Sequence, residues 1–209
     1  MSHYPVFLEL RDRRCVVLGD GELADEKAAT LRAAGADVVH LRRPCAPGDL
    51  RGAYLAIEAS GDPAAQEVAR READEHHVLL NVVDVTDKCD WIAPAVVRRG
   101  PLQIAISTGG ESPFLASTLR ARLERLFGEE WGPFTQVVGT VRRRLRRRGV
   151  SADQQRIAYR RLLRSPARAL LREGRYTDAT DLAASIERDA RGDSTDAIGE
   201  VVLVGAGPG

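Results

Sequence analysis

The apolar run Val16-Val17-Leu18 ends in Gly19-Asp20-Gly21-Glu22-Leu23-Ala24 and passes at once into a helix-like stretch from Glu22 to Ala34. This Gly-x-Gly-x-x-Ala spacing constrains the chain more than any other segment. It asks for a strand, a tight turn and a helix in immediate succession. The first glycine turns the chain off the strand, and the second lets backbone approach a pyrophosphate. The small third residue packs helix against strand. The helix start offers unpaired N–H groups and the positive end of its dipole to a phosphate. Gly19, Gly21, Glu22 and Leu23 are therefore candidate dinucleotide contacts, with Arg43 and Pro44 on the adenine side. Glycine-rich strand–helix turns also occur without a ligand, so the fingerprint alone names no reaction.

The rest of the chain sets the frame. Its 209 residues, 44% hydrophobic and 29% charged, leave room for one or two globular domains with a proper core. A formal net charge of +1 gives no global steering toward nucleic acid or membrane, and no stretch has the roughly 18 to 20 apolar residues of a membrane span. Met-Ser-His-Tyr-Pro lacks the regions of a signal peptide. The odd set Cys15, Cys45 and Cys89 forms no C-x-x-C pair, which points to a reducing cytoplasm rather than a disulfide scaffold or structural zinc site.

Strand-like and helix-like stretches alternate through the first half. Phe7–Leu10, Cys15–Leu18, Asp37–Leu41, Tyr54–Ile57 and Val78–Val83 read as strands. Helices are expected from Glu22, ending at the C′ glycine Gly35, and from Asp62 through Ala73. The pattern implies an α/β, Rossmann-like parallel sheet covered on both faces. The connection from Arg42 to Ala53 allows a single crossover only, so the sheet edge is expected to be trimmed.

From Asp84 the pattern changes. Trp91–Val97 and Leu102–Ile106 flank the hairpin-like turn Arg98-Arg99-Gly100-Pro101, and the polar loop from Ser107 to Pro113 leads into a helix over Phe114–Phe127. Four further helices are expected: Phe134–Arg148, Ala152–Leu163, Pro166–Glu173 and Tyr176–Asp189. Gly199 to Gly209 reads as a new strand ending in glycines. The expected organisation is a dinucleotide-binding domain over 1–93, a segment over 94–128, a small helical domain over 129–196, and the opening of another domain over 197–209.

At this point the residues carry a resemblance. Pro5-Val6-Phe7-Leu8 with Arg11-Asp12-Arg13, the glycine turn with Lys27-Ala28, Asn81-Val82-Val83-Asp84, Ile92-x-Pro94, and above all the run from Leu102 through Ser107-Thr108-Gly109-Gly110-x-Ser112-Pro113 to Ala116 are similar to the precorrin-2 dehydrogenase/sirohydrochlorin ferrochelatase module of siroheme synthases. The likeness covers roughly residues 4 to 128. The last eleven residues resemble the start of a uroporphyrinogen-III C-methyltransferase domain, whose Gly-x-Gly-Pro-Gly loop contacts S-adenosylmethionine.

The resemblance implies a reaction. Precorrin-2 passes a hydride to NAD and loses a proton, giving sirohydrochlorin. Insertion of Fe²⁺, a substrate here, then displaces two pyrrole N–H protons and gives siroheme. Both steps need a proton acceptor beside the ring, and by resemblance Asp84 is that residue, at the C-terminal end of a strand where open α/β sheets place ligands. The residues alone equally allow Asp84 to serve only as a turn residue. Ser107, Thr108 and Gly109 would lie by the tetrapyrrole cleft and bind its carboxylate arms, or form a solvated turn. The resemblance also implies a cytoplasmic homodimer joined through the 94–128 segment, with no nucleic acid or membrane partner. Metal-ligating residues are not identified; Cys89 is near Asp84 in sequence, and His40, His76 and His77 have no ligand spacing. The arginine run Arg142–Arg148 reads as a solvated helix face before it reads as a site for a polycarboxylate.

Two departures from the family pattern bear on the cofactor. Asp20 stands where the family has glycine, placing a carboxylate beside the expected pyrophosphate. The short Arg42 to Ala53 connection is the second, removing the sheet edge that usually helps cover the adenosine. No acid ends the second strand, and Arg42 and Arg43 there could accept the 2′-phosphate of NADP, but the resemblance implies NAD first, without need of that acid. These keep two other readings in view: a catalytically degenerate tetrapyrrole-binding module, and an NAD-sensing regulatory domain.

Overall fold

A computed structural model describes residues 3–190. The expected strand over Gly199–Gly209 lies outside the described residues. The chain divides into two compact units, one of residues 3–96 with Ala105–Ala121, the other of Val97–Ile104 with the chain from Arg122 on.

The first unit is built on a four-stranded sheet: β1 (Arg14–Leu18), β2 (Asp37–Leu41), β3 (Leu55–Glu58) and β4 (Leu79–Val82), in the order β2-β1-β3-β4 and parallel throughout. Helix α1 (Glu22–Ala33) ends as the sequence suggests. Gly35 takes a positive φ of 86°, its N–H donates to the carbonyl of Arg32, and the Ala36 N–H donates to that of Leu31, closing a Schellman motif. Helix α2 (Pro63–His76) has Asp62 as N-cap and proline in its first turn, and His77 stops it with a φ of 53°. Alternate strand residues face opposite layers. Cys15, Val17, Leu55 and Ile57 pack with Ala24, Ala28 and Leu31 of α1, whereas Val16, Leu18, Ala56, Leu80 and Val82 pack with Ala69 and Ala73 of α2.

The trimmed edge is present. Between β2 and β3 the chain makes only turns, and Cys45, Leu50 and Ala53 from that connection enter the α2-side core where a helix would otherwise lie. Asp49 holds the connection in shape, accepting the Ala46 N–H and both Nη1 and Nη2 of Arg43 at 2.7 Å each.

Two expectations from the sequence fail. Residues 7–10 form no strand: Phe7 is 71% exposed, and only Leu10 of the four is buried. Both sides of β1 are already taken by β2 and β3, which leaves no place beside it for another strand. The hairpin begins later than expected. Its strands are β5 (Ala95–Arg99) and β6 (Leu102–Ile106), with Arg98 and Arg99 inside the strand and the turn at Gly100-Pro101. Trp91 is instead bound back onto β4, its Nε1–H donating to the Leu79 carbonyl and its own carbonyl accepting from the Asn81 side chain.

Helix α3 (Pro113–Leu126) follows the hairpin. In the second unit, α4 (Trp131–Arg147), α5 (Ala152–Arg164), α6 (Ala167–Arg172) and α7 (Tyr176–Asp189) surround Phe134, Val141, Leu145, Leu162 and Leu171. Helix α4 starts ahead of its expected first residue because Pro133 falls in the first turn, where its missing N–H costs nothing. Arg144 and Arg148 from the arginine run pair with the buried Glu187, while Arg142, Arg143, Arg146 and Arg147 are exposed. None of the described helices is long and apolar enough to cross a membrane.

Candidate functional site

The strand order reverses between β1 and β3, and open α/β sheets bind ligands in the crevice beyond the C-terminal strand ends at such a point. The glycine turn lies there. Gly19 has a φ of 115° and its N–H donates to the Leu41 carbonyl at the end of β2. A Cβ at Gly19 would stand 2.7 Å from the Ser60 N and 2.8 Å from the Ala59 carbonyl carbon, so this glycine lets the β1 and β3 ends approach each other. Gly21 differs: φ is 98°, ψ is 178°, and a Cβ there would meet nothing within 4 Å. It faces open space at the N-cap of α1, with no side chain capping the helix. The first intrahelical bond runs from Asp25 N–H to the Gly21 carbonyl, leaving the N–H groups of the first turn available for an anion. This cradle fits a dinucleotide pyrophosphate. Glu22 is exposed beside it and Leu23 is 41% exposed.

Asp20 folds back across the turn. Its Oδ1 accepts the Gly21 N–H at 2.9 Å and Nη1 of Arg42 at 3.0 Å. These two bonds, that from Arg42 foremost, hold its carboxyl below the usual carboxylate range. Arg42 reaches in addition to Asp25 of α1. Arg43 is taken by Asp49 and by the Pro44 carbonyl, while Pro44 is itself exposed. His40, which has no ligand spacing in the sequence, has a side chain only 7% exposed; its Nε2 lies 3.0 Å from the Gly19 carbonyl and its Nδ1 3.6 Å from Asp25. The register that sets Val17 opposite His40 explains this position, and register cannot be read before the strands are paired.

Asp84 lies just past β4, on the same sheet edge. It occupies the third position of a turn closed by Val85 N–H to the Val82 carbonyl, with a φ of 63°. Its carboxylate is exposed and has no hydrogen-bond partner among the described residues. Aspartate tolerates this left-handed turn position, and its carboxylate is left open to solvent. Cys89 holds this turn from beneath: its thiol bonds the N–H and carbonyl of Val82 and the carbonyl of Val85, and burial pushes its pKa up. That makes it a structural thiol.

The Ser107–Pro113 loop comes next to the Asp84 turn. A Cβ at Gly110 would lie 3.9 Å from both Cγ2 and Oγ1 of Thr86, in the short 3₁₀ turn after Asp84. The loop is closed by its own hydroxyls. Thr108 Oγ1 accepts the Ser112 N–H and donates to the Ser112 carbonyl, and Ser112 Oγ accepts the Leu115 N–H as the cap of α3. Ser107 Oγ accepts the Gly109 N–H. Gly109, with a φ of 66° and nothing within 4 Å of a would-be Cβ, presents open backbone. The acidic and histidine group Glu72, Glu75 and His76 lies elsewhere, on the last turns of α2, at the opposite sheet edge from Asp84. Glu72 there already accepts the Gly48 N–H at 2.7 Å.

Sheet order, glycine crevice and open helix N-terminus together define a Rossmann-like fold with a dinucleotide-binding type of motif. Residues 6–95 match a family described as putative NAD(P)-binding, and residues 99–126 match one described as the central part of sirohaem biosynthesis proteins. The siroheme synthase of Azotobacter vinelandii is 36% identical over 230 aligned residues, covering 100% of this chain and 49% of that protein. The siroheme synthase of Methylococcus capsulatus is 34% identical, covering 100% and 48%. The chain thus spans about half the length of the curated relatives it matches. A solved precorrin-2 dehydrogenase, SirC, shares the fold with a TM-score of 0.68 at 21% identity, over 88% of this chain and 100% of that one. The chain is a siroheme-synthase/precorrin-2-dehydrogenase-like module.

Proposed function

We propose that this module oxidises precorrin-2 to sirohydrochlorin with NAD and inserts Fe²⁺ to give siroheme. One observation carries the reading: the open Gly21 cradle and the unbonded Asp84 carboxylate share one sheet edge, and the Ser107–Gly110 loop packs beside the Asp84 turn. Bound NAD would accept the hydride; Gly21 and the first turn of α1 would hold its pyrophosphate. Asp84 takes the proton that precorrin-2 loses, so that precorrin-2 and NAD⁺ give sirohydrochlorin, NADH and H⁺. In the second step the same carboxylate receives protons that Fe²⁺ displaces from two pyrrole nitrogens. Carboxylate arms of the macrocycle are met by the Ser107 hydroxyl, whose oxygen already holds the Gly109 N–H and whose proton remains to donate, since the Thr108 hydroxyl is engaged with Ser112. The working form is a cytoplasmic homodimer joined through residues 94–128, with no nucleic acid or membrane partner.

Asp20 favours a second reading, a tetrapyrrole-binding module without redox chemistry, because its carboxylate occupies the Gly21 N–H. Anaerobic mixing with precorrin-2 and NAD, followed by visible absorption and then addition of Fe²⁺, separates the two. The oxidative reading expects sirohydrochlorin from the wild type and loss of turnover in Asp84→Asn. Porphyrinoid binding without turnover supports the second reading. Dinucleotide binding with no tetrapyrrole affinity would instead mark an NAD-sensing domain.

A further inference from the structure

Arg42 stands one residue past β2, where Rossmann-type sites place either an acid for the ribose hydroxyls or an arginine for a 2′-phosphate. Its guanidinium is already engaged from two sides. Nη1 donates to Asp20 in the glycine turn at 3.0 Å, and both terminal nitrogens reach Asp25 in the first turn of α1. One cation therefore sits between two carboxylates, and the local sum is negative. The next arginine offers no substitute, because Asp49 holds both terminal nitrogens of Arg43 at 2.7 Å. A dianionic 2′-phosphate arriving here would meet two carboxylates and would have to break at least one ion pair to reach a guanidinium.

We propose that Asp20 and Asp25 set the dinucleotide preference of this module: by holding Arg42 they select NAD(H) against NADP(H). The inference rests on the reading that the Gly21 cradle binds a dinucleotide. It assigns a specificity role to two carboxylates, one in the glycine turn and one in the first turn of α1. Asp20 has a further effect, since its bond to the Gly21 N–H takes up a donor that would face the pyrophosphate. Its removal strengthens binding of both dinucleotides, and that of the phosphorylated one more.

The test titrates NADH and NADPH separately into the purified protein at fixed ionic strength and follows nicotinamide fluorescence. The wild type is expected to bind NADH at least about tenfold more tightly than NADPH. In Asp20→Asn/Asp25→Asn the ratio falls by about tenfold or more through a gain in NADPH affinity, and Arg42→Ala added to that pair abolishes the gain. If the double variant does not fold, Asp20→Gly alone shows the same direction of change, since that side chain is exposed. A wild-type preference for NADPH, or a ratio unmoved by the carboxylate variants, overturns the assignment while leaving dinucleotide binding intact. Binding of neither dinucleotide to the folded wild type overturns the underlying reading as well.

Discussion

Gly19 and Gly21 have the same role in the sequence pattern and different physical demands in the structure, and substitution by alanine separates them. Both have positive φ, and at Gly21 the pairing of 98° with 178° belongs to a region that is essentially glycine-only. Backbone strain from a Cβ costs about 1–3 kcal/mol at either position. At Gly21 that is the whole cost, because the added methyl meets nothing within 4 Å. At Gly19 the methyl would overlap the Ser60 N at 2.7 Å, the Ala59 carbonyl carbon at 2.8 Å and its oxygen at 2.9 Å. These are backbone atoms at the end of a buried strand and cannot rotate away, so overpacking adds about 1–3 kcal/mol. Gly19→Ala should therefore be the less stable by about 2 kcal/mol, roughly 1 M in urea midpoint for a slope near 2 kcal/mol/M. Urea unfolding followed by circular dichroism measures this. Gly21→Ala should in turn lose NADH affinity while keeping most of its stability, because its methyl enters the cradle. Equal midpoints for the two variants would refute the packing argument.

Other expectations are as direct. Asp84→Gly trades a left-handed backbone cost of at most about 1–2 kcal/mol against about 0.5–1 kcal/mol of added glycine entropy, so stability should stay level or rise by up to about 1 kcal/mol while sirohydrochlorin formation is lost; a clearly lower melting temperature would contradict the strain. Ser112→Ala removes the cap of α3 and should cost about 1 kcal/mol, read as a shifted denaturation midpoint, and no shift would show that the cap is dispensable. Burial, with Asp49, Glu72 and Glu58 nearby, pushes the Cys45 thiol up to about 12 from 9.0. The native state then keeps a proton that the unfolded chain releases, so between about pH 9 and 12 stability falls by at most about 1.4 kcal/mol per pH unit from this group. Cys45→Ala should flatten that slope in urea melts against pH, and an unchanged slope would mean that other groups set it. All three thiols are shifted upward by burial, so a thiol reagent at neutral pH should label them slowly in the native protein and fast in denaturant; rapid native labelling would contradict their burial.

Most of the first unit was legible because its signals are local. The Gly-x-Gly-x-x-Ala turn, the Gly35 stop and the Asp62-Pro63 start are each set within a few residues, and the structure has them where the sequence puts them. The family stretches at Asn81–Asp84 and Ser107–Pro113 were likewise visible, and they do come together. What could not be read depends on partners distant in the chain. Phe7–Leu10 has the composition of a strand but no open edge beside β1. The constraint on Gly19 comes from Ala59 and Ser60, and the setting of His40 comes from its register against β1. Glu58, 1% exposed with one carboxylate oxygen unbonded, looks in sequence like an ordinary polar residue after an apolar run. Asp20 was suspect from its charge alone, but its ties to Arg42 and the Gly21 N–H needed coordinates.

The ion triad at the glycine turn has a consequence for how this protein is compared with others. The side chains of Arg42, Asp20 and Asp25 are 54%, 71% and 49% exposed, so mobile ions reach all three. The screening length shrinks from about 10 Å at 0.1 M salt to about 3 Å at 1 M. A selectivity held in exposed charge is a property of protein and solvent together. Its NADH-to-NADPH ratio should drift toward unity as salt rises, whereas a ratio built from buried contacts would stay level. Affinities from low-salt buffers would then overstate the discrimination that operates at cellular ionic strength.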